Sequence, residues 1–430
     1  ACQVARGPSI GASAVMGVSF RCVAVYTGIP KYFIASFLMP MLSDFGFTPE
    51  QKMMRESLLK LARRELPDEK IRQIDEEGGW PVEAYQAMAR DGWIGLLYPE
   101  EYGGLAGSYK DLAVLLETLS YHYACLGTTY MTSAIYAGLQ LLHNGSEYLK
   151  REYMMPMIQG KNYMAFALTE PQTGSDAAAI KTHAVKKGGD YILSGQKWFI
   201  TSALMADYIV VVAKTDTQAM PVHNGFSLFL VDAKAKGVSM LPIRTMGRHT
   251  THTNQIYFDE VRVPQRYRIG NEGQGFIYQM QQFQEERLWA AASCLQSLSN
   301  CIQWTIDWAQ ERKLFGSTLA DQQWVQFKLA ECKTEVEALR ALTYRACDLY
   351  VQGQDVLELA SMAKLKAGRL NRIIPDTCLQ FWGGMGFTLD NKVSRMYRDG
   401  RLGSIGGGAD EVMMGILAKL MGIAKRPPQA

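Results

Sequence analysis

Two neighbouring carboxylates, Glu285 and Glu286, stand directly before Arg287 and Leu288 in the run Phe-Gln-Glu-Glu-Arg-Leu. A carboxylate held in a dry cleft loses solvation, gains basicity and can remove a weakly acidic C–H proton. Adjacent helical residues point about 100° apart, so only one of the two can face a given substrate. The ordinary fate of a helical glutamate is a solvated ion pair. A second candidate is the segment 167–176, Ala-Leu-Thr-Glu-Pro-Gln-Thr-Gly-Ser-Asp. A strand is expected to end at Thr169, and Gly174 would permit a tight turn that aims N–H groups and hydroxyls at a flat polar ring. Taken alone the segment serves equally well as a helix cap, because Ser175 and Asp176 precede an alanine run. In segment 195–201, Phe199 could shield such a ring and Thr201 could hydrogen-bond it, although a core-facing aromatic on a strand is the plainer reading. Segment 311–316 contributes Arg312, whose planar fork suits two phosphate oxygens. An Arg-Lys pair at a helix end is more often a solvated last turn.

These groups need elements to hold them, and the patterning changes twice along the chain. Thr48-Pro49-Glu50-Gln51 reads as an N-cap with proline in the first turn, and Met53, Met54, Leu58, Leu61 and Ala62 recur at helical spacing. Trp80-Pro81 opens a second helix that ends at Asp91-Gly92, and helical patterns run on from 109 to 158. Short β-branched and aromatic runs follow at 191–193, 208–213, 226–231 and 255–258, punctuated by Gly, Asp and Asn. They predict a compact antiparallel β-domain. Helix returns after Gly275. Apolar positions 288, 291, 295, 298, 302 and 306, then 325, 329, 332, 336, 339, 342, 346 and 349, form the seam of a helical bundle. The expected fold is multidomain α+β: a leader-like segment 1–43, a helical domain 44–165, a β-domain 166–274 and a helical bundle 275–423.

The longest pattern is 380–411. It contains Gln380, a Gly-Gly-x-Gly turn at 383–386, Phe387, Asp390, Arg395 and Asp399 at fixed spacing, then Ile405-Gly406-Gly407-Gly408-Ala409 and Glu411. It resembles the C-terminal signature of the acyl-CoA dehydrogenases, flavoenzymes that desaturate acyl-CoA thioesters. The likeness extends over residues 45–421. It implies a middle β-barrel between a helical domain and a four-helix bundle, with FAD as cofactor. By resemblance Phe166, Leu168, Thr169 and Ser175 contact FAD, and Phe199 and Thr201 cover its ring. Arg312 and Phe315 would reach a neighbouring subunit's FAD, with Gln323, Gln380, Gly383 and Gly384. Ala409 and Glu411 belong to the C-terminal FAD segment. Ser175, Gln284, Arg287, Gly407 and Gly408 are the implied substrate contacts, the Gly407 N–H being one donor to the thioester oxygen.

Many members of that family carry their catalytic carboxylate at the position of Gly407, and glycine cannot take a proton. Members with glycine there, the long-chain and isovaleryl types, carry a glutamate directly before Arg-Leu. Glu286 matches that arrangement and is the implied base, with Glu285 its rival. The implied reaction is FAD-dependent α,β-dehydrogenation of a long or branched acyl-CoA to the trans-2-enoyl-CoA. The implied assembly is a homotetramer that passes electrons to an electron-transferring flavoprotein. Two other readings stand beside it: an oxidase that reduces oxygen, and a non-catalytic acyl-CoA-binding scaffold.

Composition excludes some partners. A formal charge of +3 with no Lys/Arg run argues against nucleic acid. The eight scattered cysteines contain no C-x-x-C pair and read as reduced thiols. His249 and His252 lack acidic or cysteine companions at ligand spacing, so no metal is expected. Residues 1–43 hold no Asp or Glu but hold Arg6, Arg21, Lys31 and several serines. That suits a mitochondrial transit peptide and a matrix location; otherwise a bacterial cytoplasm is expected. No stretch is long and apolar enough to span a bilayer.

Overall fold

The computed structural model describes residues 45–423, apart from 123 and 124; the leader-like segment lies outside the described residues. Helix α1 (Pro49–Glu65) opens with a reciprocal cap. Thr48 Oγ1 accepts from Gln51 N (3.2 Å) while Gln51 Oε1 accepts from Thr48 N (3.1 Å). Helix α2 (Asp68–Glu77) is an addition to the expected elements. Only Ile71 and Ile74 of its apolar set are buried in a run otherwise polar, so its periodicity is weak. Helix α3 (Val82–Arg90) stops at Gly92, which takes φ 81°. Helix α4 (Tyr109–Leu119) is buried along all of 112–119. The helical run from Leu126 to Ile158 is broken into pieces. One of them, Met131–Ala137, has the wider π winding that often marks functional sites.

The middle domain is an eight-stranded sheet. Its strands are β1 (Met164–Ala167), β2 (His183–Lys187), β3 (Asp190–Thr201), β4 (Tyr208–Lys214), β5 (Phe226–Asp232), β6 (Val238–Pro242), β7 (Thr253–Pro264) and β8 (Arg268–Ile269). The hydrogen-bonded path runs β6-β7-β3-β2-β4-β5-β8, with β1 against β4. Most pairings are antiparallel, but the purely antiparallel expectation is corrected at β1–β4 and β2–β4, which are parallel. A parallel neighbour requires a long crossover, and segment 168–207 supplies it. Among the described residues the path is open, with β6 and β8 at its ends. Strands β3, β4, β5 and β7 grew from the four predicted runs. The strand expected to end at Thr169 is β1, which stops at Ala167; β2 is lysine-rich and exposed on one face, and β6 and β8 are too short to announce themselves.

The bundle comprises α5 (Gly275–Ala292), α6 (Leu295–Glu311), α7 (Gln323–Val351) and α8 (Leu357–Trp382). A continuous helix across 288–308 is not what forms. It breaks at 293 and 294, where Ser293 Oγ donates back to Ala290 O (3.1 Å) and Ser297 Oγ to Cys294 O (2.8 Å). Such hydroxyls compete with the helical ladder. The seam otherwise packs as read: Leu288, Ala291, Leu295, Leu298 and Ile302 are buried, as are Val325, Leu329, Cys332, Val336 and Leu339. Helix α8 runs through the middle on small buried residues (Ala360, Ala363, Ala367) that let its neighbours approach. Glu117 on α4 joins the helical domain to the bundle by accepting from Arg340 Nε (3.0 Å) and Tyr344 OH (2.6 Å). Helices α9 (Lys392–Gly400) and α10 (Asp410–Leu420) complete the chain's described part.

Candidate active site

Helix α5 carries both candidate acids, and its neighbours separate them. Gln282 Nε2 donates to the carbonyls of Ile135 (2.9 Å) and Tyr136 (3.1 Å). Those bonds fasten α5 to the π-wound turn, so that the Tyr136 hydroxyl donates to the Glu286 carboxylate. On another side stands the glycine loop. A Cβ built on Gly407 would lie 3.3 Å from Glu286 Oε1. Gly407 and Gly408 take φ values of 62° and 92°, which L side chains rarely adopt. Lys364 of α8, itself buried, holds this loop: its Nζ donates to Gly403 O (3.0 Å) and to Gly408 O.

Glu286 forms no ion pair among the described residues, and a small share of its surface stays open. Burial pushes its carboxyl up to about 7, against the Tyr136 hydrogen bond and the charges of Lys364 and Arg287. A carboxylate poised near neutrality is suited to general-base work. Arg287 is buried, and its Nη1 has no hydrogen-bond partner in the protein. Gln284 lies on the same helix.

Glu285 faces elsewhere. Its Oε1 accepts from Tyr109 OH of α4 (2.9 Å) and from Tyr350 OH of α7. Burial raises its pKa too, against those two hydroxyls. It lines a cavity of about 640 Å³ with Gln281, Gln282, His143 and His223. The rivalry between the two acids is thus resolved by direction: Glu286 meets Gly407, and Glu285 meets tyrosines.

The expected flavin contacts of the β-domain come together from distant positions. Trp198 N donates to Thr169 O (2.8 Å), which sets segment 166–169 beside 198–201. Phe166, Leu168, Thr169 and Thr201 are all partly exposed there. Phe199 is 57% exposed at φ 59°. A non-glycine residue in that conformation costs of order 1 kcal/mol, and an exposed aromatic there suits a flat ligand. Gly174 is not the turn residue expected. The turn closes earlier, where the backbones of Glu170 and Thr173 exchange hydrogen bonds (3.0 Å each), and Gly174 has no left-handed φ. The capping alternative does not form either: Asp176 caps nothing, and 177–179 is a single 3₁₀ turn. Ser175 is left exposed.

A second group gathers at the far end of the bundle. Trp308 stacks on Trp382 (centroids 4.6 Å) and its Nε1 donates to Phe381 O (3.2 Å). This joins the end of α6, with Arg312 and Phe315, to the end of α8, with Gln380, Gly383 and Gly384; Trp324, next to Gln323, packs on Phe381 at 4.7 Å. All six of those predicted residues are exposed, Phe315 by 96%. Along α8, Gln380 lies sixteen residues beyond Lys364, about 24 Å. One chain therefore does not bring this group to the Glu286 cleft. Ala409 and exposed Glu411 start α10 beside the glycine loop.

Two contributors escaped the sequence reading. Tyr136 sits in a run of small residues without a motif. Lys364 had a usable signal: it falls on the buried stripe of α8, four residues after Ala360, where a lysine has no place without a polar task. His249 of the His pair is engaged by the protein, with Nε2 3.0 Å from Thr245 O and Nδ1 3.4 Å from Asp75 Oδ1.

The chain matches three family models: acyl-CoA dehydrogenase N-terminal domain (residues 48–161), middle domain (165–261) and C-terminal domain (273–422). It is 34% identical to the caffeyl-CoA reductase-Etf complex subunit CarC of Acetobacterium woodii, over 87% of this chain and 99% of that one. It is 32% identical to the mitochondrial long-chain specific acyl-CoA dehydrogenase of Sus scrofa, over 88% and 89%. The butyryl-CoA dehydrogenase structure from Megasphaera elsdenii superimposes with a TM-score of 0.82 at 28% identity, over 88% and 99%. The chain belongs to the acyl-CoA dehydrogenase family and is one of its FAD-dependent oxidoreductases.

Proposed function

We propose that Glu286 is the base that takes the α-proton of an acyl-CoA during formation of its trans-2-enoyl-CoA. One observation carries this: the Glu286 carboxylate fills the space that a side chain at Gly407 would enter. FAD, when bound, supplies the acceptor for the β-hydride. The chain's own part is placement and charge. Tyr136 holds the carboxylate by its hydroxyl, and burial keeps that carboxylate basic. The Gly407 N–H is the donor assigned to the thioester oxygen, where enolate charge gathers. Ser175, Gln284, Arg287 and Gly408 are the remaining substrate contacts. Phe166, Leu168, Thr169, Phe199 and Thr201 would hold the flavin, and their open, partly aromatic face fits it.

Glutamate at 286 with glycine at 407 favours long or branched acyl chains, as does likeness to a long-chain specific enzyme. An electron-transferring flavoprotein is the proposed acceptor, supported by likeness to a subunit of an Etf complex. Arg312, Phe315, Gln323, Gln380, Gly383 and Gly384 would serve a second subunit's FAD in a homotetramer. Their distance from Glu286 within one chain supports that assignment. The likeness to a reductase subunit supports a second reading, in which the same residues return a proton to the α-carbon of an enoyl-CoA.

The test is anaerobic bleaching of the flavin by a panel of saturated acyl-CoA thioesters, with an aryl-enoyl-CoA offered to the reduced enzyme in parallel. Fast bleaching by long or branched chains supports the first reading. Best turnover of butyryl-CoA counts against the chain preference. Reoxidation by the enoyl-CoA without forward bleaching favours the second reading.

A further inference from the structure

Glu286 meets Tyr136 where α5 passes the π-wound turn Met131–Ala137, and a second polar contact lies one helical turn away. Gln282 precedes Glu286 by four residues and so shares its face of α5. Gln140, in the helix Gly138–Asn144, follows Tyr136 by four. Gln140 Nε2 donates to Gln282 Oε1. The two segments therefore run in opposite directions and touch at two rungs, Tyr136 on Glu286 and Gln140 on Gln282. Both glutamines are buried, where an amide left unpaired is costly.

Donor and acceptor chemistry orders these contacts. The carbonyls of Ile135 and Tyr136 only accept, so Gln282 must turn its Nε2 toward them (2.9 and 3.1 Å). Its Oε1 then needs a donor, which is Gln140 Nε2. That orientation leaves Gln140 Oε1 as an acceptor, and Asn144 Nδ2 donates to it (3.1 Å). Flipping either glutamine amide sets oxygen against oxygen or nitrogen against nitrogen. The chain thus runs one way, from Asn144 through Gln140 and Gln282 to the backbone of the π turn. It grips that turn at the residue whose hydroxyl donates to Glu286. Few charged or titratable groups face the carboxylate: Tyr136 from the turn, Lys364 from α8 and Arg287 from α5 itself. Arg248, on the loop before β7, acts on the Tyr136 hydroxyl from the β-domain. Burial raises the Glu286 carboxyl, and the Tyr136 hydrogen bond opposes it more strongly than either charge.

We propose that Gln282, oriented by Gln140 and Asn144, is a positioning residue that holds the Tyr136 hydroxyl against the Glu286 carboxylate. The assignment rests on Glu286 being the base. Its test is the pH profile of kcat/KM for acyl-CoA in the FAD-loaded enzyme and its variants. Tyr136→Phe loses only a hydroxyl. Its acid limb should move up by about one to two pH units, the loss of a hydrogen bond to a charged group. Near pH 9 its rate should stay within about threefold of wild type, because the carboxylate is mostly ionised again there. Gln282→Met keeps the side-chain volume but donates nothing. It should move the limb in the same direction by about half a unit, a fraction of the same hydrogen bond. The double variant should show the limb of Tyr136→Phe alone, since Gln282 acts through that hydroxyl. An unmoved limb in Tyr136→Phe, or shifts that add in the double variant, overturns the proposal. So does a Gln282→Met enzyme that loses rate without moving the limb, the mark of an amide that only joins α5 to the helical domain. Should Gln282→Met not fold, Gln140→Met, one link further from the base, is read by the same criteria. A wild-type limb that survives Glu286→Gln belongs to another group; the base assignment then fails first, and the proposal falls with it.

Discussion

Glu170 in the β-domain and Glu286 in the bundle are both carboxylates withdrawn from water, and the molecule treats them oppositely. Glu170 accepts from Lys181 N (2.7 Å), Thr182 N (2.9 Å) and Lys197 Nζ (3.0 Å). Burial pushes its pKa up, but Lys197 and those N–H groups overcome it and hold the carboxyl below its ordinary value. Lys197 also donates to Leu168 O (2.8 Å), so the ion pair pins the strand end that carries the expected flavin contacts. Glu286 has one hydroxyl and no paired cation, and burial wins. The lesson is general. A buried acid held by its cation stays charged and fastens, whereas a buried acid without one keeps its proton to higher pH, and its surroundings decide what that proton can do: Glu285 is tied to two tyrosines, and Glu286 meets the glycine loop.

Removing each acid's distinctive feature tests the contrast. Glu286→Gln should keep the yellow FAD and slow flavin bleaching by acyl-CoA by about 10³- to 10⁴-fold; normal bleaching would move the base elsewhere. Lys197→Met strands Glu170 in the interior. Denaturant titration should show a loss of about 3–5 kcal/mol, and a loss too small to measure would deny that the pair is structural. The amide at 286 should also stabilise the fold. The folded-state pKa of Glu286 is raised to about 7, so ionisation is resisted only in the native state. That penalty is absent below the unfolded pKa, grows from there to about 7 and is level above it. Glu286→Gln should therefore gain up to about 3 kcal/mol at pH 8 and nothing at pH 4. The same titration predicts that kcat/KM climbs tenfold per pH unit below about 7 and levels above it; a flat profile from pH 5 to 8 would contradict a carboxylate base at that pKa. The smallest effect is expected at Glu285→Gln, which keeps both tyrosine contacts and should leave the bleaching rate at its original order.

Much of this is legible in the sequence. Helical, strand and helical patterning appear in order because periodicity is local, and the Thr48 cap was readable because its partner lies three residues away. β2, β6 and β8, which the patterning does not single out, are short or one-sided and acquire their character from neighbours in the sheet. Gly174 misled because glycine can mark a turn it does not make, the turn being closed by the backbones of Glu170 and Thr173. The helix break at 293 and 294 was hidden by a seam that stays in phase across it.

The chain's residue types determined that a carboxylate at 285 or 286 could serve as a base, and that a glycine at 407 could not. Packing decided between the two acids. Their directions depend on Tyr109, Tyr136, Tyr350 and Gly407, groups far from them in sequence. The environment that makes Glu286 basic is likewise a property of elements meeting in space, since desolvation is imposed by neighbours and is not encoded in the residue itself.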